Sequence, residues 1–371
     1  YIYRAALAAA VVTGAYHIVP AAADPIADFY KGKRMTILIS SRAGSGYDVY
    51  ARLLGRNLGR HIPGNPRIIP KNMPGAGGMR LLNHAYNKAP RNGSTLFTLH
   101  FNLPLWQAIG GSGVKYDASK IIGLGRLVAS NAVVGVWSKS TSKVASLADA
   151  IKRQAIIGST GATSNSTIYP IMLNNLLGSK FKVVHGYAGA FGVFLAMERG
   201  EIDGFGSYSY LSFKAVKPHY LEKKLFQPIV QWGPKREAGW PDIPTAIDLA
   251  KTAVDKKAME IASSGPRIGF SYFMPPKVPK ARVRALRAAF NAMVKDKAFL
   301  ADAAKLKMSL RTATGQEIEK IVAGVMSAPA DAIARLKDLR VRKDRKVGCK
   351  QHSKASKGKF CRKKRKRKKK K

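Results

Sequence analysis

The sequence predicts an α/β fold of mostly parallel sheets flanked by helices, and three observations carry that reading. Short apolar runs alternate with amphipathic helical stripes along most of the chain, the pattern of strands covered on both faces. A unit of strand, small-residue loop and helix occurs three times. The 371 residues, 46% of them hydrophobic, suffice for a sizeable core and favour two domains over one.

Phe29-Tyr30-Lys31-Gly32-Lys33 leads into the first strand, Ile37-Leu38-Ile39. Arg42-Ala43-Gly44-Ser45-Gly46 is the first loop, and Tyr47, Tyr50, Ala51, Leu54 and Leu58 form the apolar stripe of a helix. His61-Ile62-Pro63-Gly64-Asn65-Pro66 stops that helix. Arg67-Ile68-Ile69-Pro70 is the second strand and Asn72-Met73-Pro74-Gly75-Ala76-Gly77-Gly78 the second loop, before Met79, Leu82, Ala85 and Tyr86 at helical spacing. After the turn Pro90-Arg91-Asn92-Gly93 comes a third strand, Thr95 to Leu99, with Phe101 off its end.

Val133 to Trp137 is a strand and Leu147 to Arg153 a short helix. Ile156-Ile157 then runs into Gly158-Ser159-Thr160-Gly161-Ala162-Thr163-Ser164-Asn165-Ser166, the third loop, loaded with hydroxyls and followed by the stripe Ile168, Ile171, Met172, Leu176. Strands at Lys182 to His185 and Ile202 to Phe205 bracket a helix containing Phe194 to Met197. Gln227 to Trp232 carries the chain back out. The remainder reads as helical with one strand, Ile268 to Phe273; Val283, Leu286, Phe290, Met293 and Val294 mark the first of three helices reaching about Leu339.

Charge sets the chain apart. Sixty-five Lys plus Arg face 21 Asp plus Glu, a formal +44. Residues 341–371 hold 18 of the basic residues and one acid, Asp344; without them 47 basic and 20 acidic residues still leave +27. The body therefore favours an anionic ligand or surface. The tail repels itself and is expected to be disordered, open to non-specific binding of nucleic acid, anionic lipid or polysaccharide. Because such a tail fits poorly with export, a mis-translated or artefactual end accounts for it equally well. Export itself is read from Arg4, the apolar run Ala5 to Ala15, and Ala21-Ala22-Ala23 before Asp24, a signal peptide over residues 1–23. Both cysteines, Cys349 and Cys361, lie in the tail, so neither a disulfide framework nor a thiolate metal site is expected in the body.

Each small-residue loop ends at a helix start, where backbone N–H groups lack partners at the positive end of the macrodipole; such places bind anions. Nucleotide fingerprints fail here. A third glycine after Gly44-Ser45-Gly46 would fall at Val49, and Tyr47-Asp48 stands where a phosphate loop needs Gly-Lys-Ser/Thr. Asp48 fits both a helix cap and a ligand contact, as Asp203 fits both a turn and a contact. Ser159, Thr160, Thr163, Ser164 and Ser166 exceed the one cap a helix needs and suit a site that reads oxygen atoms. No metalloprotease or nucleophile-elbow motif is present, no close carboxylate pair stands out, and His61, His84, His100, His185 and His219 read as scattered surface or core residues. No catalytic residue, metal or cofactor is assigned. The alternatives are a nucleic-acid-binding protein that relies on its tail, and a serine hydrolase built on Ser159, Ser164 or Ser166 with His185.

In their order these stretches resemble the Bug-type periplasmic solute-binding proteins, the receptors of tripartite tricarboxylate transporters. The resemblance rests on Phe29 to Lys33; Gly44 to Asp48 with Tyr50-Ala51-Arg52; Asn72 to Gly78; Gly200-Glu201-Ile202-Asp203; Pro241-Asp242-Ile243-Pro244-Thr245; and Pro275-Pro276 through Phe290. Ser45 interrupts the usual adjacent glycines, and the tail has no counterpart in the family. The resemblance implies a two-lobed periplasmic binding protein fold, type II-like, with the ligand cleft between lobes that close by hinge motion. It places the first part of lobe 1 at residues 24–130, lobe 2 at 131–227 and the rest of lobe 1 at 228–340. It implies that the loops Ala43–Asp48 and Gly75–Gly78 (Gly75, Ala76, Gly77, Gly78) hold a ligand carboxylate through backbone N–H groups, faced by Ser159–Ser166. Phe101, Tyr187 and Asp203 complete the candidate contacts. The implied partners are a small carboxylate and the membrane subunits of the transporter, for a monomeric periplasmic receptor that performs no chemistry.

Overall fold

The structure, a computed structural model, describes residues 24–187 and 189–341; the export signal read at residues 1–23 and the basic tail from residue 342 lie outside them. Helix α1 (Pro25–Tyr30) starts at Asp24, whose carboxylate accepts the Ile26 N–H at 2.9 Å. Strand β1 (Arg34–Ile39) runs into helix α2 (Gly46–Leu58), β2 (Arg67–Asn72) into α3 (Met79–Asn87), and β3 (Thr95–Thr98) into α4 (Leu103–Ala108). β4 (Ile122–Val128) then hands the chain through Ala129-Ser130-Asn131 to β5 (Ala132–Trp137). Next come α5 (Leu147–Lys152), β6 (Gln154–Ser159), α6 (Asn165–Leu177), β7 (Lys180–His185), α7 (Ala190–Glu198) and β8 (Gly204–Ser209). After α8 (Tyr210–Val216), α9 (Pro218–Glu222) and β9 (Phe226–Trp232), helices α10 (Ala253–Ala262) and α11 (Ser264–Ile268) return the chain to β10 (Phe270–Met274). The last elements are α12 (Lys280–Met293), α13 (Lys297–Lys305), the two-residue β11 (Ala313–Thr314), α14 (Gly315–Met326) and α15 (Ala330–Leu339).

These strands form two sheets, ordered β11-β4-β10-β3-β1-β2 and β7-β6-β8-β5-β9. Strands joined by a crossover helix pair in parallel: β1 with β2 and β3, β6 with β7 and β8. The antiparallel pairs are β10 with β3 and β4, β11 with β4, and β5 with β8 and β9. β5 alone among these arrives straight from the other sheet, with no helix to turn it round. β9 pairs with β5 from Ala132↔Trp232 to Trp137↔Phe226, so the boundary drawn at residue 227 falls inside this strand of the second sheet. The strand placed at Ile268 to Phe273 starts later, because Ile268 still closes α11 and Gly269 (φ +57°) makes the break.

The α2 stripe is buried as its spacing requires, with Tyr50, Ala51, Leu54 and Leu58 fully covered beside Phe290 of α12. Leu54 and Leu58 each contribute ~1.5–3 kcal/mol. α6 is packed on several sides through its first two turns: Ile168, Tyr169, Met172 and Leu173 are buried, and Tyr169 stacks on Trp232 at 4.0 Å. Pro170 inside α6 has no N–H for the Ser166 carbonyl, and β8 packs on that carbonyl at Gly206, where any Cβ would collide with it. α15 departs from the sequence reading. Ala332, Leu336 and Leu339 sit in the core that Trp232, Met172 and Met259 share, so the C-terminal helix packs beside the second sheet. No helix among the described residues is long and apolar enough to cross a membrane.

Candidate anion-binding site

Three helix starts meet at one cavity. At α2, Ser45 Oγ accepts the Asp48 N–H at 3.3 Å while the Asp48 carboxylate accepts the Gly44 N–H at 2.8 Å, a reciprocal cap. That leaves the N–H groups of Gly46 and Tyr47 without an acceptor among the described residues. Before α3, Gly75, Ala76, Gly77 and Gly78 all have positive φ (140°, 46°, 59° and 89°), a turn only a glycine-rich segment makes. Its Ala76 and Gly77 N–H groups are likewise unpaired among the described residues. At α6 the same holds for Asn165 and Ser166, while the Thr160 N–H turns to Ser166 Oγ at 3.2 Å.

The loops are tied to one another. Asn72 Nδ2 donates to Asp48 Oδ1 at 2.8 Å and to the Ser41 carbonyl at 2.9 Å, joining the first two. Thr163 Oγ1 donates to the Ala76 carbonyl at 2.7 Å, and Asn102 Nδ2 donates to the Thr163 carbonyl, so the starts of α3 and α6 touch. A Cβ at Gly77 would lie 2.6 Å from Thr163 Oγ1 and 3.1 Å from the Ser164 nitrogen. The cavity between the two sheets measures about 380 Å³, in the range of small-molecule sites.

Of the candidates drawn from the sequence, Ser45, Gly46, Tyr47, Gly75, Ala76, Gly77, Gly78, Phe101, Thr160, Ser164, Ser166 and Tyr187 line this cavity. Ala43, Gly44, Asp48, Ser159, Thr163 and Asp203 do not. Asp48 is buried beneath the first loop, where Arg52 Nε lies 3.0 Å from its carboxylate. Burial raises its pKa, but hydrogen bonds from Arg52, Asn72 and the Gly44 N–H, with the Arg52 charge, outweigh that and hold it below the usual value. The Gly44 amide is spent on that carboxylate, and Ala43 is exposed. Ser159 is fully buried, its hydroxyl shared with Ser164, Ser166 and Thr167 at 3.1, 2.8 and 2.6 Å. Thr163 bridges to Ala76 instead of facing inward. Asp203 stands at the other end of the sheet, accepting the Ile156 N–H at 2.6 Å and Ser140 Oγ at 2.5 Å before β8 begins. Among the described residues no hydrogen bond joins these serines to a histidine.

Sequence reasoning missed His100, Phe270, Tyr208 and Arg42, all on the wall. His100 stacks on Tyr47 with ring centroids 4.6 Å apart, and burial pushes its pKa down to about 4, so the ring is neutral near pH 7. Its place just past β3, at a strand's carboxyl end, was the available signal. A Cβ at Gly78 would lie 2.7 Å from His100 Cδ2, so this glycine makes room for the imidazole as well as for the turn. Phe270, 4.3 Å from Tyr47, enters from the amino end of an antiparallel strand, where no strand-end rule points. Arg42, exposed in the first loop, is the one cationic side chain on the wall among the described residues, and no Asp or Glu lines it.

No protein-family model and no curated protein matches the sequence. Solved structures do. The chain is similar to the periplasmic binding protein BugD, at 16% identity and TM-score 0.64, over 84% of this chain and 99% of that one. It is similar to MatC (Rpa3494) from Rhodopseudomonas palustris with bound malate, at 17% identity and TM-score 0.60, over 83% and 99%. It is also similar to R. palustris Rpa4515 with adipate, at 16% and 0.62, over 82% and 97%. Identities this low speak for architecture. The chain has the two-lobed α/β fold of the Bug-type periplasmic binding proteins.

Proposed function

We propose that the chain is a periplasmic receptor that captures a small carboxylate between its lobes and delivers it to the membrane subunits of a tripartite tricarboxylate transporter. The observation that carries this reading is the set of unpaired amides, Gly46, Tyr47, Ala76, Gly77, Asn165 and Ser166, supplied by three helix starts to one cavity without an acidic side chain. Malate and adipate in two structures of the same fold support it. Backbone N–H bonds to a charged group contribute roughly 1.5–3 kcal/mol each. Four to six of them sustain about micromolar affinity, roughly −8 kcal/mol, after the cost of association. Lobe 2 then runs from Asn131 to Trp232, and Thr160 and Ser164 add hydroxyls. The receptor acts as a monomer and makes no covalent bond.

Titration calorimetry and thermal melts on ligand-free protein against succinate, malate, adipate, citrate and benzoate test the reading. Binding of at least one is expected. No heat and no gain in melting temperature with any of them overturns it. Deleting residues 342–371 separates it from the nucleic-acid reading, which predicts lost DNA binding as the protein's main activity; here carboxylate binding is unchanged by the deletion.

A further inference from the structure

Resting on that receptor reading, we infer that the ligand is a monocarboxylate whose body is flat, uncharged and aromatic or otherwise unsaturated. Three observations lead there. The first is convergence. The α3 and α6 starts touch through Thr163 and Ala76, and Asn72 ties the α2 loop to the α3 loop. The three loops that carry the unpaired amides are therefore neighbours, which favours one carboxylate seat over two anion sites at opposite ends.

The second is charge. No Asp or Glu lines the cavity, and Asp48 and Asp203 are committed elsewhere. An ammonium group would be buried without a counter-charge, which excludes amino acids as good ligands. Arg42 is exposed in the first loop, so a second carboxylate would find at best a solvent-screened partner. His100, held neutral by its burial, offers none.

The third is the aromatic part of the wall, which Ser130, Ser207 and Ser209 accompany. Tyr47, His100, Phe101 and Phe270 from the first lobe face Phe205 and Tyr208 of the second around the same cavity. Tyr47 lies 4.3 Å from Phe270, and Phe205 lies 5.6 Å from Tyr208 with planes 24° apart. Aromatic walls favour a ring or a conjugated chain over a solvated tail.

Calorimetry with the full chain, stripped of ligand, against 4-hydroxybenzoate, benzoate, adipate and L-glutamate decides the matter. The expected result is benzoate or 4-hydroxybenzoate at least about tenfold tighter than adipate, with no heat from glutamate. Adipate binding tighter than both aromatic acids, or glutamate binding at all, overturns this inference and leaves the receptor reading standing. Silence from all four acids overturns the inference, and silence extending to succinate, malate and citrate overturns the receptor reading with it.

Discussion

Asp48 stands beneath the first loop as a girder, not as a ligand contact. Its carboxylate holds Gly44, Arg52 and Asn72 at once, which fixes two of the three loops relative to each other. Breaking a buried pair commonly costs 3–5 kcal/mol, but Arg52 stays 40% exposed and recovers solvation, so Asp48→Ala is expected to cost about 2 kcal/mol in urea denaturation. The folded pKa lies below the ordinary 3.8, so this stabilisation is complete above about pH 4 and is lost as pH falls through the folded value. His100 works in another window. With its pKa down from 6.5 to about 4, the unfolded chain takes the proton more readily, so stability is full above 6.5 and declines as pH falls toward 4. His100→Gln is expected to flatten that decline by up to about one proton's worth of slope, read from denaturation midpoints across a pH series. The sequence placed Asp48 correctly at a helix start and left cap and contact both open. Which of the two applied turned on Arg52 and Asn72, and a partner 24 residues away leaves no mark in local pattern.

At the scale of elements, the three strand–loop–helix units were legible because small residues before an apolar 3.6-residue stripe have few other uses. α2, α3 and α6 all begin where those loops end. What the pattern could not show is that the second and third loops press on each other. That contact makes Gly77→Ala informative: its Cβ would push against Thr163 Oγ1 and the Ser164 nitrogen, and φ +59° adds left-handed strain of about 1 kcal/mol. Prising the α3 and α6 starts apart is expected to lower carboxylate affinity at least about tenfold by calorimetry, with a small change in the melting temperature of ligand-free protein. β10 escaped the loop logic. It delivers Phe270 from its first residue, because an antiparallel strand turns its opposite end toward the cleft.

For the molecule as a whole, the alternation of strands and helices announced two α/β halves, while the places where the chain crosses between them were harder to read. A crossing strand such as β9 has the same apolar composition whichever sheet it joins. The third crossing, into α15, was hidden for the same reason: an amphipathic helix does not declare which core its stripe will meet. Leu105, Trp106 and Ile109 of the α4 region share one core with Trp232 and Leu336, and the Arg340 guanidinium lies 4.8 Å over the Trp106 ring. The halves are thus stitched along one side, and a bivalve so bound is expected to gape only at its free margin. That margin is where Phe191 of α7, 43% exposed, reaches to within 3.4 Å of a Cβ position at Gly44. Residues 1–341 contain no cysteine, so a chain ending there accepts paired spin labels without background. Labels at Ala43 and Leu195 are expected to move apart when the ligand is withdrawn, while a pair at Ala108 and Lys337, astride the stitching, keeps its distance.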